Sequence, residues 1–272
     1  MTGGFNPGES ATGPDPAGEA PTGPDPAGMA LPREFFARDP LVVARDLIGR
    51  DIVTGSGPGR VVVRLSEVEA YAGADDPASH AYRGETARTA VMFGPAGFLY
   101  VYFVYGMHWC ANVVTGRAAT ASAVLLRAGS VLGGFEVAGQ RRPRATPVSL
   151  ARGPAALTGV LGITGADTGV DLCEPDGPIQ LSAGNPAPAG SVRTGPRVGV
   201  SAAADRPWRY WRADDPTVSR YRAGARRRPV TPRKGPASVG PAEPAEPAEP
   251  AGPAGPASPA IPDGSVPLAM PD

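Results

Sequence analysis

Residues 98–114 read FLYVYFVYGMHWCANVV, and the fold turns on what that stretch becomes. It lies inside a 28-residue run, 89–116, that holds no charged residue. A run of that length raises the question of a membrane-spanning helix. Its texture argues against one. Gly94, Pro95 and Gly97 interrupt it early, and Tyr100, Tyr102 and Tyr105 fall within six residues. Aromatic and β-branched side chains at that density favour a strand. The pattern predicts a strand over 98–105, a turn at Gly106 and Met107, and a hairpin partner over 110–115. Alternation places Tyr100 and Tyr102 on one face and Tyr105 on the other, at the hairpin tip.

The segments around this hairpin read the same way. RVVVRLSEVEA (60–70) predicts a strand ending in acids, ASAVLLR (121–127) another, and RVGVS (197–201) a third. Asp39-Pro40 ahead of LVVARDLIG predicts a short helix. Asp39 caps it, Pro40 takes the first helical position, Val43, Ala44, Leu47 and Ile48 form the apolar stripe, and Gly49 ends it. Gly153-Pro154 opens a second short helix running to Leu161. Strands dominate the first half, with frequent Gly/Pro turns. The expectation is an α+β domain built on a curved, mainly antiparallel sheet.

Charge divides the chain. Its 272 residues hold 26 Lys plus Arg and 26 Asp plus Glu, so the formal net charge is zero. Residues 1–30 and 235–272 contain no Lys or Arg, and they hold half of the 34 prolines in a quarter of the length. TGPDPAG occurs twice near the start, and Pro-Ala-Glu three times near the end. Such composition lacks the apolar side chains that offset ordering entropy, so both flanks are expected to be disordered. The expected division is 1–31, a central domain over 32–228, and a tail over 229–272. Residues 31–234 keep all 26 basic residues against 17 acids, a net charge of about +9. The clusters Arg141-Arg142-Pro143-Arg144 and Arg226-Arg227-Arg228 fit either phosphate contacts or a solubilising surface.

Other counts exclude classes. Cys110 and Cys173 are too few for a disulfide framework. With His80 and His108 the only histidines, no zinc pattern exists, and neither metal nor cofactor is expected. The N-terminus lacks the basic start and apolar stretch of a secretory signal, so a cytoplasmic protein with no membrane partner is expected.

Three constellations could carry chemistry. In EVEAY (67–71), Glu67 and Glu69 project to one face of a strand, with His80 nine residues beyond Tyr71. That is a natural pocket rim, or a strand edge with solvated charge. The tyrosines of 100–105 could stack on a base or wedge into a base stack, or they could simply pack a sheet face. Arg127 closes an apolar strand and could serve a site or snorkel to the surface.

Taken together, EVEAY with its following His, MFGPAGFLYVYFVYGMHWCANVV (92–114), VLLRA (124–128), GPAAL (153–157), RVGVS and PWRYW (207–211) resemble the alkyladenine (3-methyladenine) DNA glycosylase family. The resemblance runs in one order from about Phe35 to Trp211. It implies a single compact α+β domain with flanking helices and a protruding hairpin. It also implies excision of alkylated or deaminated purines flipped from double-stranded DNA, as the first step of base excision repair. Glu69 matches the general base that activates water, and Arg127 the arginine that helps hold it. Tyr71 and Tyr102 match the aromatic sandwich around the flipped base, and His80 its hydrogen-bonding neighbour. Asn112 matches the side chain that crowds the amino group of normal guanine. Tyr105 matches the residue inserted into the duplex. A monomer associated with the bacterial nucleoid through DNA is the corresponding expectation.

The chemistry is consistent with these roles. An oxocarbenium-like sugar is stabilised by a nearby carboxylate that can also deprotonate water. A cationic alkylated base suits electron-rich rings. Lys234 is the only lysine, at the start of the tail, so a Schiff-base lyase step lacks its side-chain amine. A monofunctional hydrolase is therefore expected. Glu85 and the Ala87-Arg88-Thr89 segment depart from the family pattern, which usually has a basic residue and Pro-Arg-Asn there. Glu67 has no role in the resemblance and is expected to be structural. Two rival readings share these features: a non-catalytic module that binds damaged nucleic acid, and a nucleoside hydrolase.

Overall fold

A computed structural model of the chain describes residues 29–224. Apart from residues 29–31, of which Leu31 is buried in the core, both expected flanks, with Arg226 to Arg228 and Lys234, lie outside these residues. Two short helices come first, α1 (Arg33–Phe36) and α2 (Pro40–Leu47). Asp39 caps α2 as predicted, its Oδ1 accepting the Leu41 N–H at 2.8 Å. Val43, Ala44, Leu47 and Ile48 are buried. Gly49 ends the helix at φ +89°, where a Cβ would lie 2.2 Å from the Asn185 carbonyl oxygen. Only glycine fits there.

Eight strands form one sheet: β1 (Asp51–Thr54), β2 (Val61–Ala72), β3 (Leu99–Val104), β4 (His108–Thr115), β5 (Ser122–Gly133), β6 (Ile179–Ser182), β7 (Val192–Gly195) and β8 (Arg209–Arg212). The order is β3-β4-β5-β2-β1-β6, and β8 joins β2 to β7. Every pairing among these strands is antiparallel. β2 is the axis of the sheet. It pairs with β5 along its length, and its other edge is shared by β1 over 61–64 and β8 over 67–69. Two further helices, α3 (Phe135–Arg141) and α4 (Pro154–Leu161), complete the α+β architecture. α4 packs against the sheet through Leu157, Val160 and Leu161, and Thr158 Oγ1 donates to the Trp109 carbonyl on β4 at 2.9 Å.

The uncharged stretch forms the β3–β4 hairpin, and among the described residues no helix is long and apolar enough to cross a membrane. Its turn comes one residue earlier than predicted. Met107 N–H donates to the Val104 carbonyl at 3.3 Å, with Tyr105 and Gly106 between them at φ +53° and +67°. Two positive φ values are what a type I′ hairpin turn requires. Glycine accepts this readily; a tyrosine in that region carries roughly 1 kcal/mol of strain. Tyr105 is thereby presented at the tip, 84% exposed.

One prediction needs correction. Residues 197–201 form no strand, because Gly199 at φ +73° turns the chain and the neighbouring amides bond elsewhere. Arg141 and Arg142 each also anchor the fold through one guanidinium nitrogen. Arg141 donates to the Val160 carbonyl at 2.6 Å, and Arg142 to that of Ser149 at 2.7 Å, so both tie the loop ends around α3 and α4.

Candidate active site

The site is built on the second half of β2, where Glu67, Glu69 and Tyr71 occupy alternate positions. Here the β2–β5 ladder shifts register. Ala128 lies opposite Glu67 and Leu126 opposite Val68, so Arg127 has no partner across the ladder. A bulge of this kind re-aims a side chain. Arg127 turns inward between the two carboxylates. Its Nε donates to Glu67 Oε1 at 2.8 Å, and its NH1 lies 3.3 Å from Glu69 Oε2. Both glutamates and Arg127 are buried. The alternatives of a solvated strand edge and a snorkelling arginine are thus excluded.

Glu69 is held by three donors. Val198 N–H donates to Oε1 at 2.7 Å, the Tyr71 hydroxyl to Oε2 at 3.0 Å, and Arg127 approaches the same Oε2. The Val198 amide is therefore engaged by a carboxylate instead of a strand ladder, while Gly199 N–H donates to the Arg222 carbonyl at 2.8 Å. Burial pushes Glu69 above the usual carboxylate range, against the opposing pull of Arg127, Val198 N–H and Tyr71. The outcome is a carboxylate of raised basicity, better suited to accepting a proton than an exposed one.

Beside Tyr71 opens a small recess lined by Tyr71, Ala78, Ser79, His80, Met92, Tyr100, Tyr102, Asn112 and Ala123. It rests on a small apolar cluster that includes Met92, Val114 and Ala123. The tyrosines of β3 thus form a cavity wall. His80 Nδ1 lies 3.1 Å from the Tyr100 hydroxyl, and its ring meets Tyr102 edge-on at 4.5 Å. Burial first, and Arg88 second, lower the His80 pKa below its ordinary value, so the imidazole is neutral at neutral pH. Asn112 sits opposite Tyr100 in the hairpin and donates from Nδ2 to its carbonyl at 3.0 Å. Arg88 lies 5.6 Å from the Tyr102 ring. Glu85, on the same loop, is exposed.

Tyr71 is braced from inside the protein. Arg197 is 1% exposed and lies over the Tyr71 ring at 4.6 Å. Its guanidinium pairs with both oxygens of buried Asp76 and donates to the Ala70 carbonyl at 3.0 Å.

Glu69, Arg127 and Tyr71 therefore form one bonded cluster, and Tyr71, His80, Tyr102 and Asn112 line one recess. Tyr105 stands apart, at the hairpin tip. Sequence reasoning missed the Val198 amide, Arg197 with Asp76, and the Tyr100 hydroxyl. It also missed the partners of Glu67: Arg209 Nε at 2.8 Å, Ser219 N–H at 2.6 Å and Ser219 Oγ at 2.9 Å. An arginine inside each apolar block RVGVS and PWRYW was the available signal for two of these. Ser219 offered none.

Comparison with known proteins bears on the same residues. Residues 34–216 match the family model for methylpurine-DNA glycosylase (MPG). A Streptomyces avermitilis protein named "Putative 3-methyladenine DNA glycosylase" is 53% identical over 201 residues, covering 73% of this chain and 94% of its own length. A protein of the same name from Nocardia farcinica is 53% identical over 194 residues, covering 69% of this chain and 90% of its own length. Another, from Mycobacterium tuberculosis, is 48% identical over 199 residues, covering 71% and 95%. A match across two thirds of the chain, spanning β2, the hairpin and β8, establishes that the chain belongs to the methylpurine-DNA glycosylase family.

Proposed function

We propose that this protein is a 3-methyladenine-type DNA glycosylase: it takes alkylated or deaminated purines out of duplex DNA and hydrolyses their N-glycosidic bond. One observation carries the reading. A recess walled by Tyr71, His80, Tyr102 and Asn112 abuts a buried carboxylate, Glu69, through the hydroxyl of Tyr71.

In this reading the flipped base enters the recess between Tyr71 and Tyr102. Aromatic faces attract a base made cationic by ring alkylation, and a neutral His80 adds no opposing charge. Tyr105 fills the gap left in the duplex. A water held by Glu69 and Arg127 attacks C1′ of the sugar. Glu69 takes its proton, the C1′–N bond breaks, and the bonding electrons leave with the base. The products are the free base and an abasic site. Positive charge developing on the sugar is stabilised by the carboxylate. The enzyme is monofunctional: Lys234 is the only lysine, and among the described residues neither the cluster nor the recess offers an amine nucleophile. The extreme exposure of Tyr105 favours a duplex substrate over a free nucleoside, which would need no wedge.

The test is a panel of duplexes, each with one 3-methyladenine, 7-methylguanine, hypoxanthine or ethenoadenine, incubated with the full chain and with Glu69→Gln. The parent is expected to release at least one base and leave an unbroken abasic strand. Glu69→Gln is expected to bind the same duplex without release. Strand cleavage without alkali contradicts the monofunctional step. A parent that binds but releases nothing identifies a non-catalytic damage-binding module.

A further inference from the structure

Glu67 is the charged group at the centre of the site to which the proposed reaction gives no task. It is fully buried, yet it carries four donors. Oε1 accepts from Arg127 Nε and Arg209 Nε, each at 2.8 Å, and from Ser219 Oγ at 2.9 Å. Oε2 accepts from Ser219 N–H at 2.6 Å. The network closes on itself. Arg127 NH2 lies 3.3 Å from Ser219 Oγ, and Arg209 NH2 donates to the Ser219 carbonyl at 2.7 Å. Burial raises the proton affinity of Glu67, but Arg127, Arg209 and the Ser219 amide together outweigh it and hold Glu67 below the ordinary carboxylate value. Two carboxylates two residues apart are thus driven in opposite directions. Glu67 is a fixed anion, and Glu69 is the basic one.

The directions of the bonds matter. Arg127 gives Glu67 its Nε at 2.8 Å and presents NH1 to Glu69 at 3.3 Å. Without the Glu67 clamp, only the Ser219 hydroxyl still draws the guanidinium away from fuller pairing with Glu69. Such pairing would quench the base and occupy the position where water must stand. We propose that Glu67, locked by Arg209 and Ser219, is a positioning residue that holds Arg127 off Glu69 and so keeps the catalytic carboxylate basic.

The inference rests on the glycosylase reading. The groups facing Glu69 are Glu67 and Tyr71 on β2, Arg127 on β5, Tyr102 and Cys110 on the hairpin, and Arg197 before the Val198 turn. Neutralising Glu67 removes a repulsive neighbour and releases Arg127 toward Glu69. Both effects lower the Glu69 pKa.

The test is single-turnover excision of the best duplex substrate across pH, with binding and melting measured in parallel, for the full chain, Glu67→Gln and Ser219→Ala. Glu67→Gln is expected to bind lesion duplex as the parent does, to excise about 100-fold more slowly on the pH plateau, and to move the acidic limb to lower pH. A purely structural Glu67 would lower the melting temperature and leave that limb in place. Should Glu67→Gln fail to fold, Ser219→Ala decides. It keeps every charge and removes one hydroxyl shared by Glu67 and Arg127, and its rate is expected to fall about tenfold at unchanged affinity. A parent-like limb in Glu67→Gln, or a parent-like rate in Ser219→Ala, overturns the proposal while leaving the glycosylase reading intact. A parent inactive on every lesion overturns both.

Discussion

Tyr71→Phe isolates one bond at the centre of the site. The substitution removes the hydroxyl that donates to Glu69 Oε2 at 3.0 Å. It leaves the ring under Arg197 and at the recess wall. A donor to a carboxylate stabilises the ionised form, so its loss raises the carboxylate pKa. A hydrogen bond to a charged group contributes about 1.5–3 kcal/mol, and one pKa unit corresponds to 1.36 kcal/mol. Glu69 is fully buried, so solvent does not screen the loss. The protonated acid keeps its other contacts with Val198 N–H and Arg127, so the lower end of that range applies: about one unit upward. The assay is single-turnover release of 7-methylguanine from a duplex, from mildly acidic to neutral pH. The acidic limb is expected about one unit higher than in the parent, with duplex affinity unchanged. Glu67→Gln moves the same limb the opposite way, so the two variants should straddle the parent. An unmoved or lowered limb in Tyr71→Phe would refute the argument that the phenol tunes Glu69.

Two other substitutions probe parts of the structure that act independently. Tyr105→Ala removes an 84% exposed ring that touches no core, so melting should be unchanged. Lost aromatic stacking is worth about 1–3 kcal/mol, so excision from duplex should fall roughly 5- to 150-fold; an undiminished rate removes the wedge role. Arg197→Met leaves Asp76 buried and unpaired. Breaking such a pair costs about 3–5 kcal/mol, a fall in melting temperature of about 10 °C for a domain of this size. Calorimetry showing a fall under about 2 °C would contradict that, and adding Asp76→Leu should recover part of the loss.

The elements that could be read from sequence are those whose signal is local. The α2 cap at Asp39, its buried stripe and the glycine that ends it lie within eleven consecutive residues, and each sits as expected. The alternation of aromatic and β-branched residues over 98–105 was enough to identify a hairpin strand. Its turn was misplaced by one residue because tyrosine is an unfavourable occupant of a positive-φ position, and pattern reasoning assigns such positions to glycine. That exception is informative. Tyr105 is held in a conformation its side chain disfavours, at the exposed tip of the hairpin, where packing offers no compensation. Strain of that kind gathers at functional positions.

The rest was illegible because the information is not carried by side-chain type along the chain. Arg127 owes its inward direction to a register shift between β2 and β5, a property of two strands together. The Val198 contribution is a backbone amide, and any residue but proline could supply it. RVGVS therefore looked like a strand: its composition suits one, and only the partner of its N–H says otherwise. Glu67 and Glu69 illustrate the limit most directly. Residue pattern alone makes them equivalent acids on one face of one strand, and only the family resemblance singles out Glu69. What separates them is Arg209 and Ser219, which reach Glu67 from 142 and 152 residues away. The same bonds explain why an anion can be buried beside Glu69 without both carboxylates competing for one proton. The segment 209–219 thereby does more than close the sheet: its donors hold Glu67 below the ordinary carboxylate value while burial raises Glu69.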